Sequence, residues 1–119
     1  QLRGVAGVVI DGPARHADEA RDSGFTVFAR SVTSRTARGR IVETGTNVPI
    51  VVGDVQVSPG DYVVADGSAV VFVKAGDIDR VLDAAEAIVD RERQMAADLK
   101  SGLAPTQVMG KTYETMLKR

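Results

Sequence analysis

A short apolar run that stops abruptly narrows the possible folds of this chain more than any other feature. Val8–Ile10 leads into Asp11-Gly12-Pro13, after which Arg15 and His16 open an acidic segment of helix-forming residues. A buried strand that ends in a turn and is followed by a helix begins an α/β fold. In such folds ligands bind just beyond the carboxyl ends of strands. The sequence therefore predicts a binding position after this strand.

Two interpretations of this turn stay open. An arginine placed there can hold a carboxylate or a phosphate through two parallel hydrogen bonds, and a neighbouring histidine can bind a metal or transfer a proton. The turn can equally be an ordinary surface turn, in which Arg15 pairs with Asp18 or Glu19. The local pattern does not decide between them.

Composition excludes several classes of function. A chain of 119 residues, 44% of them hydrophobic, has room for one domain with a modest core. Its net charge of −1 gives no global attraction to nucleic acids or anionic membranes, and no apolar run approaches the ~20 residues of a membrane span. The absence of cysteine excludes disulfides and thiolate chemistry and agrees with a cytoplasmic location.

Hydrophobic patterning predicts a strand–helix–strand unit followed by short strands. Val5–Ile10 and Thr26–Ala29 are the first strands, and His16–Ser23 is the helix between them, with Gly24 as its terminating glycine. Ser31–Gly45 is polar and is predicted to be a loop. Four short strands separated by turns follow: Val48–Val52, Val55–Val57, Tyr62–Ala65 and Val70–Val73.

The C-terminal part is predicted to be a long amphipathic helix. Apolar residues recur at helical spacing from Ile78 to Leu99, with Asp77 as the N-cap and Gly102 as the stop. The charged second half of this helix is either solvated or in contact with a neighbouring subunit. Tyr113–Arg119 is predicted to be a short helix that docks on a partner.

The order of several motifs resembles the RraA-like family. The pattern Asp-Gly-x-x-Arg-x-x-Asp-Glu at residues 11–19 is similar to that family's signature turn, and the similarity continues through Phe25–Arg30, Asn47–Ile50 and Val57–Asp66. The family includes class II 4-hydroxy-4-methyl-2-oxoglutarate and 4-carboxy-4-hydroxy-2-oxoadipate aldolases, and the RraA regulator of ribonuclease E. The resemblance implies a swivelling-type α/β domain with a mixed sheet and a long C-terminal helix.

The resemblance also implies that this chain is the C-terminal portion of a longer protein. Members of the family are similar to it only over their second half, and the chain opens on Gln1. We expect one RraA-like domain in which residues 1–76 form the strand–helix–strand unit and the later strands, and residues 77–119 form the helix and tail. The missing N-terminal half could be a separate chain. The alternative is a complete, compact domain of this length.

Four positions carry the chemistry that the resemblance implies. Arg15 corresponds to the catalytic, substrate-binding arginine that holds the carboxylate of the pyruvoyl group. His16 stands where the aldolases have an aspartate that ligates Mg²⁺ or Mn²⁺. An imidazole suits Zn²⁺, Co²⁺, Ni²⁺ or Mn²⁺ better than Mg²⁺, or it is an ordinary helix residue. Asp11 is expected to bond the N–H groups of its own turn, and Glu19 to cap or orient that turn.

Two further features lie outside the signature turn. Glu92 matches, through its spacing to Gly102, a glutamate that enters the neighbouring subunit's site in the aldolases. A loop without acidic residues carries four arginines, Arg30, Arg35, Arg38 and Arg40. The loop is either solvated or attracts a substrate with several carboxylates or an acidic partner. RNA is a weaker candidate, because no aromatic residue of the loop could stack on bases.

The expected function is that of a class II aldolase that cleaves a 4-hydroxy-2-oxo acid to pyruvate with a divalent cation, Mg²⁺ or Mn²⁺ or another transition metal. Oxaloacetate decarboxylation would use the same enolate. The main alternative is a non-catalytic regulator that binds a ribonuclease or another protein. A diverged lyase with a different substrate and metal is a third. The resemblance further implies a homotrimer or hexamer, and we expect Asp90–Lys100 to contact another subunit.

Overall fold

The structure, a computed structural model, describes residues 3–110, and the chain divides between Ala75 and Gly76 into two compact units. The elements of the first unit are β1 (Gly7–Ala14), α1 (Ala17–Asp22), β2 (Thr26–Val32), β3 (Ile50–Val52), β4 (Val55–Val57), β5 (Tyr62–Ala65) and β6 (Val70–Val73). A 3-10 turn, Ala75–Asp77, precedes α2 (Ile78–Lys100) and α3 (Pro105–Val108). The predicted mixed α/β architecture with a long C-terminal helix is confirmed.

The first two strands pair in parallel, with α1 between them in sequence, so the predicted strand–helix–strand unit is present. The predicted end of the first strand, at Ile10, is wrong because β1 runs on to Ala14. β2 is also longer than predicted, and beyond a register shift Pro13 pairs with Ser31. Arg15 therefore follows β1 directly, with no intervening loop.

The helix α1 ends as its sequence predicts. Gly24 has a φ of 66°, and its N–H donates to the carbonyl of Arg21 at 2.9 Å, while the N–H of Phe25 donates to the carbonyl of Ala20 at 2.8 Å. These two bonds form a Schellman motif, which needs a left-handed residue and therefore favours glycine. The helix is one residue shorter at each end than the predicted His16–Ser23.

The later strands form two antiparallel hairpins, β3–β4 and β5–β6. The predicted strand Val48–Val52 begins only at Ile50, which pairs with the last residue of β4, so earlier residues have no partner strand. The turn before β5 has Gly60 at a φ of 95°. The N–H of Asp61 donates to the carbonyl of Ser58 at 3.0 Å. This is the predicted turn, with glycine where φ must be positive.

Asp61 joins that turn to the end of β6. Its carboxylate accepts hydrogen bonds from Lys74 Nζ at 2.8 Å, from the N–H of Ser58 at 2.8 Å and from the N–H of Ala75 at 3.2 Å. Its side chain is only 6% exposed. The bond from Lys74, and then the bonds from the backbone, lower the pKa of the Asp61 carboxyl below its usual value.

This lowered pKa predicts a loss of stability in acid. A carboxyl whose pKa is lower in the folded state stabilises the fold above its unfolded pKa, and this contribution disappears as the pH falls through the folded pKa. We expect the midpoint of thermal unfolding to fall between about pH 5 and pH 2, and to fall less in the variant Asp61→Asn. Calorimetry of both proteins across this range measures the difference. Equal pH dependence would show that Asp61 does not contribute to it.

The first unit leaves much of its apolar strand surface open. Among the described residues only Ala14 and Val73 are buried hydrophobics, each 6% exposed. Val64 and Val71 pair across β5 and β6, yet they are 58% and 51% exposed. Domains of this size normally cover such side chains, so these strand faces are available to another polypeptide surface.

The second unit contains the predicted long helix, 23 residues in length. Asp77 takes the N-cap position as predicted, but its carboxylate bonds to Arg80 Nη2 at 3.1 Å and makes no capping bond. Gly102, with a φ of 95°, follows the C-cap at Ser101. No helix among the described residues is long and apolar enough to cross a membrane. The predicted tail helix, Tyr113–Arg119, lies outside the described residues.

Candidate substrate-binding site

The candidate site lies where the chain leaves β1 and enters α1. Arg15, His16 and Glu19 line an open cavity of about 550 Å³. Strands β1 and β2 and the connection between α1 and β2 supply its apolar wall: Val8, Ile10, Phe25 and Val27. The cavity thus joins an apolar surface to three ionisable side chains, which is a common composition for sites that bind small molecules.

The guanidinium of Arg15 has no partner among the described residues, whereas its acidic neighbours are engaged. Within residues 3–110 no ion pair or hydrogen bond involves its side chain. Asp18 pairs with Arg21, and Glu19 pairs with His16. The alternative in which Arg15 pairs with Asp18 or Glu19 is therefore not what the structure shows. A free, planar fork of N–H donors is suited to a carboxylate ligand.

His16 occupies the N-cap of α1 in a left-handed conformation, with φ 57° and ψ 40°. Its Nδ1 lies 2.9 Å from Oε2 of Glu19, three residues later, and both side chains are mainly exposed. In a neutral imidazole, a proton on Nδ1 that is donated to this carboxylate leaves the lone pair on Nε2. Within the described residues, Glu19 therefore orients the imidazole of His16.

Asp11 does not bond to its own turn, so that expectation is wrong. Its Oδ1 accepts a hydrogen bond from Arg30 Nε, and its Oδ2 accepts one at 2.8 Å from the N–H of Gly53, 42 residues away. Gly53 is the first central residue of the β3–β4 turn and has a φ of 65°, a conformation that favours glycine. Asp11 therefore connects β1 to β2 and to the β3–β4 hairpin.

Both partners of Asp11 stabilise its charged form. The hydrogen bond from Arg30, and then the bond from the N–H of Gly53, lower the pKa of the Asp11 carboxyl. The same contact raises the pKa of Arg30. Both residues line a second open groove, of about 410 Å³, which also contains the β3–β4 turn and the turn that joins β5 to β6.

Comparison with known proteins identifies the family. A family model described as RraA-like, Aldolase/RraA, matches residues 1–72. The chain belongs to the RraA-like family. Residues 1–72 contain β1–β6 almost entirely, and with them the cavity beside Arg15.

Individual RraA-like relatives match most of this chain. It is 31% identical over 103 residues to an uncharacterized protein of Methanocaldococcus jannaschii, covering 86% of this chain and 49% of the relative. It is 34% identical over 87 residues to a protein of Halalkalibacterium halodurans named "Putative 4-hydroxy-4-methyl-2-oxoglutarate aldolase", covering 70% of this chain and 39% of that protein.

A solved structure shows the same fold. The crystal structure of an uncharacterized protein from Pseudomonas syringae pv. tomato superposes with a TM-score of 0.85 at 31% identity, over 90% of this chain and 54% of that chain. The chain thus spans about half the length of these relatives, or less.

The described residues do not by themselves form the metal site that the RraA-like resemblance implies. Among residues 3–110 no group of three or more histidine, cysteine, aspartate or glutamate side chains is arranged to hold a metal ion. His16 and Glu19 are adjacent, but they bond to each other. Zn²⁺ sites use three or four protein donors, so a metal at this position would need donors from elsewhere.

The predicted arginine patch is reduced to three members, because Arg30 is engaged by Asp11. In the part of the chain that is described, Arg35, Arg38 and Arg40 have no acidic partner. The N–H groups of Arg35 and Arg38 donate to threonine hydroxyls two residues earlier, each at 3.2 Å. These turns present three unpaired guanidinium groups on an exposed loop, which could attract an anion.

The remaining candidate, Glu92, lies on α2 in the second unit. Its suggested entry into a neighbouring subunit's site stays a prediction. The residues that the sequence interpretation missed are Arg30 and Gly53 as partners of Asp11. No local signal pointed to them, although Gly53-Asp54 between two apolar runs does indicate a tight hairpin turn.

Proposed function

We propose that this chain carries the carboxylate-binding part of a carbon–carbon lyase that cleaves a 4-hydroxy-2-oxo acid and releases pyruvate. One observation carries the proposal. Among the described residues Arg15 has no acidic partner at the edge of an open cavity, while the acidic residues of the signature turn, Asp11, Asp18 and Glu19, each bond to another side chain. Membership of the RraA-like family and the aldolase name of one relative support the reaction class.

The proposed reaction is a retro-aldol cleavage. The 4-hydroxyl group gives its proton to solvent water, its oxygen becomes the carbonyl of the departing product, and the bond between C3 and C4 breaks. The electron pair of that bond moves onto the 2-oxo group as the pyruvate enolate, which then takes up a proton at C3. Arg15 holds the adjacent carboxylate with two N–H donors, so the 2-oxo group is fixed in position and the enolate forms beside a positive charge.

The same enolate allows decarboxylation of oxaloacetate. There the bond that breaks releases carbon dioxide from the C4 carboxylate, and the electron pair again moves onto the 2-oxo group. The divalent cation implied by the resemblance is a separate proposal, in which Nε2 of His16 is one donor and the other donors lie outside the described residues. A trimeric or hexameric assembly with Asp90–Lys100 at a subunit contact, and a cytoplasmic location, also stay predictions.

Pyruvate release tests the proposed function. The protein is incubated with 4-hydroxy-4-methyl-2-oxoglutarate or with oxaloacetate, in the presence of Mg²⁺ or Mn²⁺, and pyruvate is followed through its reduction by a coupled dehydrogenase. Because metal ions also decarboxylate oxaloacetate in solution, each blank contains the same metal without protein. We expect release above the blank with at least one substrate, and a lower rate with a chelator.

A rate equal to the blank with both substrates and both metals would contradict the lyase proposal. It would favour the alternative, a regulator that binds another protein. The open apolar strand faces around Val64 and Val71 fit that alternative, since exposed apolar surface is characteristic of protein-binding sites.

A further inference from the structure

The backbone just before Arg15 contains an irregularity in the β1–β2 ladder. Ile10 pairs with Ala29, and the next pair is Pro13 with Ser31. Two residues of β1, Asp11 and Gly12, therefore stand opposite one residue of β2, which is Arg30. An extra residue of this kind is a β-bulge, and bulges near functional sites redirect the side chains that follow them.

The side chain of Asp11 fixes this bulge from two directions. One carboxylate oxygen accepts from Arg30 Nε on the opposing strand, and the other accepts at 2.8 Å from the N–H of Gly53 in the β3–β4 turn. A bulge leaves backbone groups unpaired and so weakens the ladder locally. Here the Asp11 carboxylate connects the two strands at the bulge, where the ladder is interrupted, and it also connects β1 to the β3–β4 hairpin.

Only a short length of chain separates this connection from Arg15. Beyond the bulge β1 has two more paired residues, and the carbonyl of Ala14, its last residue, accepts the N–H of Thr33 at 2.9 Å. Arg15 follows immediately. The position of its backbone is therefore set by these paired residues, which follow the bulge directly.

We propose that Asp11 is a positioning residue: through Arg30 and the N–H of Gly53 it holds the end of β1 so that Arg15 meets the substrate carboxylate. The role of Arg15 in this inference rests on the proposed lyase function. Asp11 itself does not touch the substrate, because its side chain lies in the groove with the hairpin turns, whereas Arg15 lines the other cavity.

The positioning role predicts a particular kinetic signature. The carboxylate of a 2-oxo acid is present in the substrate and in the transition state. An Arg15 that is displaced from it, but keeps its charge beside the enolate, weakens both complexes alike. Loss of such uniform binding raises KM and leaves kcat nearly unchanged. A purely structural role would lower the unfolding temperature and leave the KM of the folded protein as it was.

The test compares Asp11→Asn with a matched control, Asp54→Asn. Asparagine keeps the shape of aspartate but has an NH2 group in place of one of the two accepting oxygens, so one of the two donors loses its acceptor. Asp54 lies beside Gly53 in the same turn, and no described residue bonds to its carboxylate. We expect Asp11→Asn to raise KM for the 2-oxo acid about tenfold with kcat changed less than about twofold, and Asp54→Asn to change neither.

Variants of Arg30 test the same connection from its other side. Arg30→Gln should raise KM as Asp11→Asn does, because the charged partner is lost. Arg30→Lys keeps the charge and one donor, and should restore part of the affinity. If Asp11→Asn and Arg30→Gln both leave KM unchanged in a folded, active protein, the positioning role is overturned.

Hydrogen exchange separates this inference from the proposed function. The amide of Thr33 bonds to Ala14 at the end of β1, so its exchange rate reports how firmly that end is held. We expect exchange about tenfold faster in Asp11→Asn and unchanged in Asp54→Asn. If the unaltered protein neither binds nor cleaves a 2-oxo acid, the lyase proposal fails. Exchange at Thr33 then tests only whether Asp11 holds the end of β1. An unchanged exchange rate in Asp11→Asn overturns that claim.

Discussion

Replacing Arg15 with alanine is expected to reduce kcat/KM for a 2-oxo acid by about 30- to 1000-fold, which corresponds to ~2–4 kcal/mol of lost transition-state binding. The physical reason is the loss of both N–H donors and of the positive charge beside the developing enolate. The unfolding temperature should hardly change, because Arg15 is exposed and has no partner among the described residues. Steady-state kinetics and calorimetry of the same preparations measure both quantities.

Two further variants make the result specific. Arg35→Ala removes the same charge from the exposed arginine loop and should leave kcat/KM within about twofold of the parent. Arg15→Lys keeps the charge but loses the planar pair of N–H donors. Its kcat/KM should therefore lie between those of the parent and of Arg15→Ala. If Arg35→Ala and Arg15→Ala lower activity equally, the effect comes from net charge and not from a carboxylate clamp at Arg15.

His16→Asp is expected to increase the affinity for Mg²⁺ about tenfold or more and to raise Mg²⁺-dependent oxaloacetate decarboxylation above the parent. A carboxylate is a harder, anionic ligand than an imidazole and suits Mg²⁺ better. The left-handed backbone at position 16, with a φ of 57°, is one that aspartate tolerates better than most residues. Activity measured against Mg²⁺ concentration, in both proteins, gives the comparison.

His16→Asn is the matched control for this substitution. Asparagine tolerates the same backbone conformation and also loses the contact with Glu19, but it brings no negative charge. It should therefore not acquire the increased Mg²⁺ affinity. If His16→Asp leaves metal affinity and activity at background, position 16 is not a metal site, and the regulator interpretation becomes the better one.

The sequence predicted the features that short-range chemistry determines. Gly24 terminates α1, Pro59-Gly60 forms its turn with Gly60 at positive φ, and α2 ends before Gly102. Each depends on a few consecutive residues and on the conformations that glycine and proline allow. The apolar runs likewise predicted the position of every strand of the first unit to within a few residues.

Features that depend on distant partners could not be predicted. β1 continues past Ile10 because β2 continues beside it, and a proline next to a turn gives no sign of this. The bond between Asp11 and Gly53 joins residues 42 positions apart. The pairing of His16 with Glu19 is short-range, but it occurs beside a left-handed backbone at His16, which is uncommon for residues other than glycine.

The candidate site itself was predicted in position but not in detail. The end of the first strand was indicated by the general rule for α/β folds, and Arg15 and His16 do line a cavity there. Arg15 has no acidic partner among the described residues because its acidic neighbours bond to other side chains. The order of charged residues along the chain does not determine these pairings. The chain spans about half the length of these relatives, or less, so residues of theirs that this chain does not match have no counterpart among those described.

The most direct test of the central claim is a titration of the protein with pyruvate, observed at the ¹⁵N-labelled Nε–H signals of its arginine side chains. Arg15→Lys identifies the signal of Arg15 by its disappearance. A carboxylate clamp predicts that this signal shifts with saturation as pyruvate is added, while the signals of Arg35, Arg38 and Arg40 stay in place. Shifts at the arginine loop with the Arg15 signal unmoved would contradict the account.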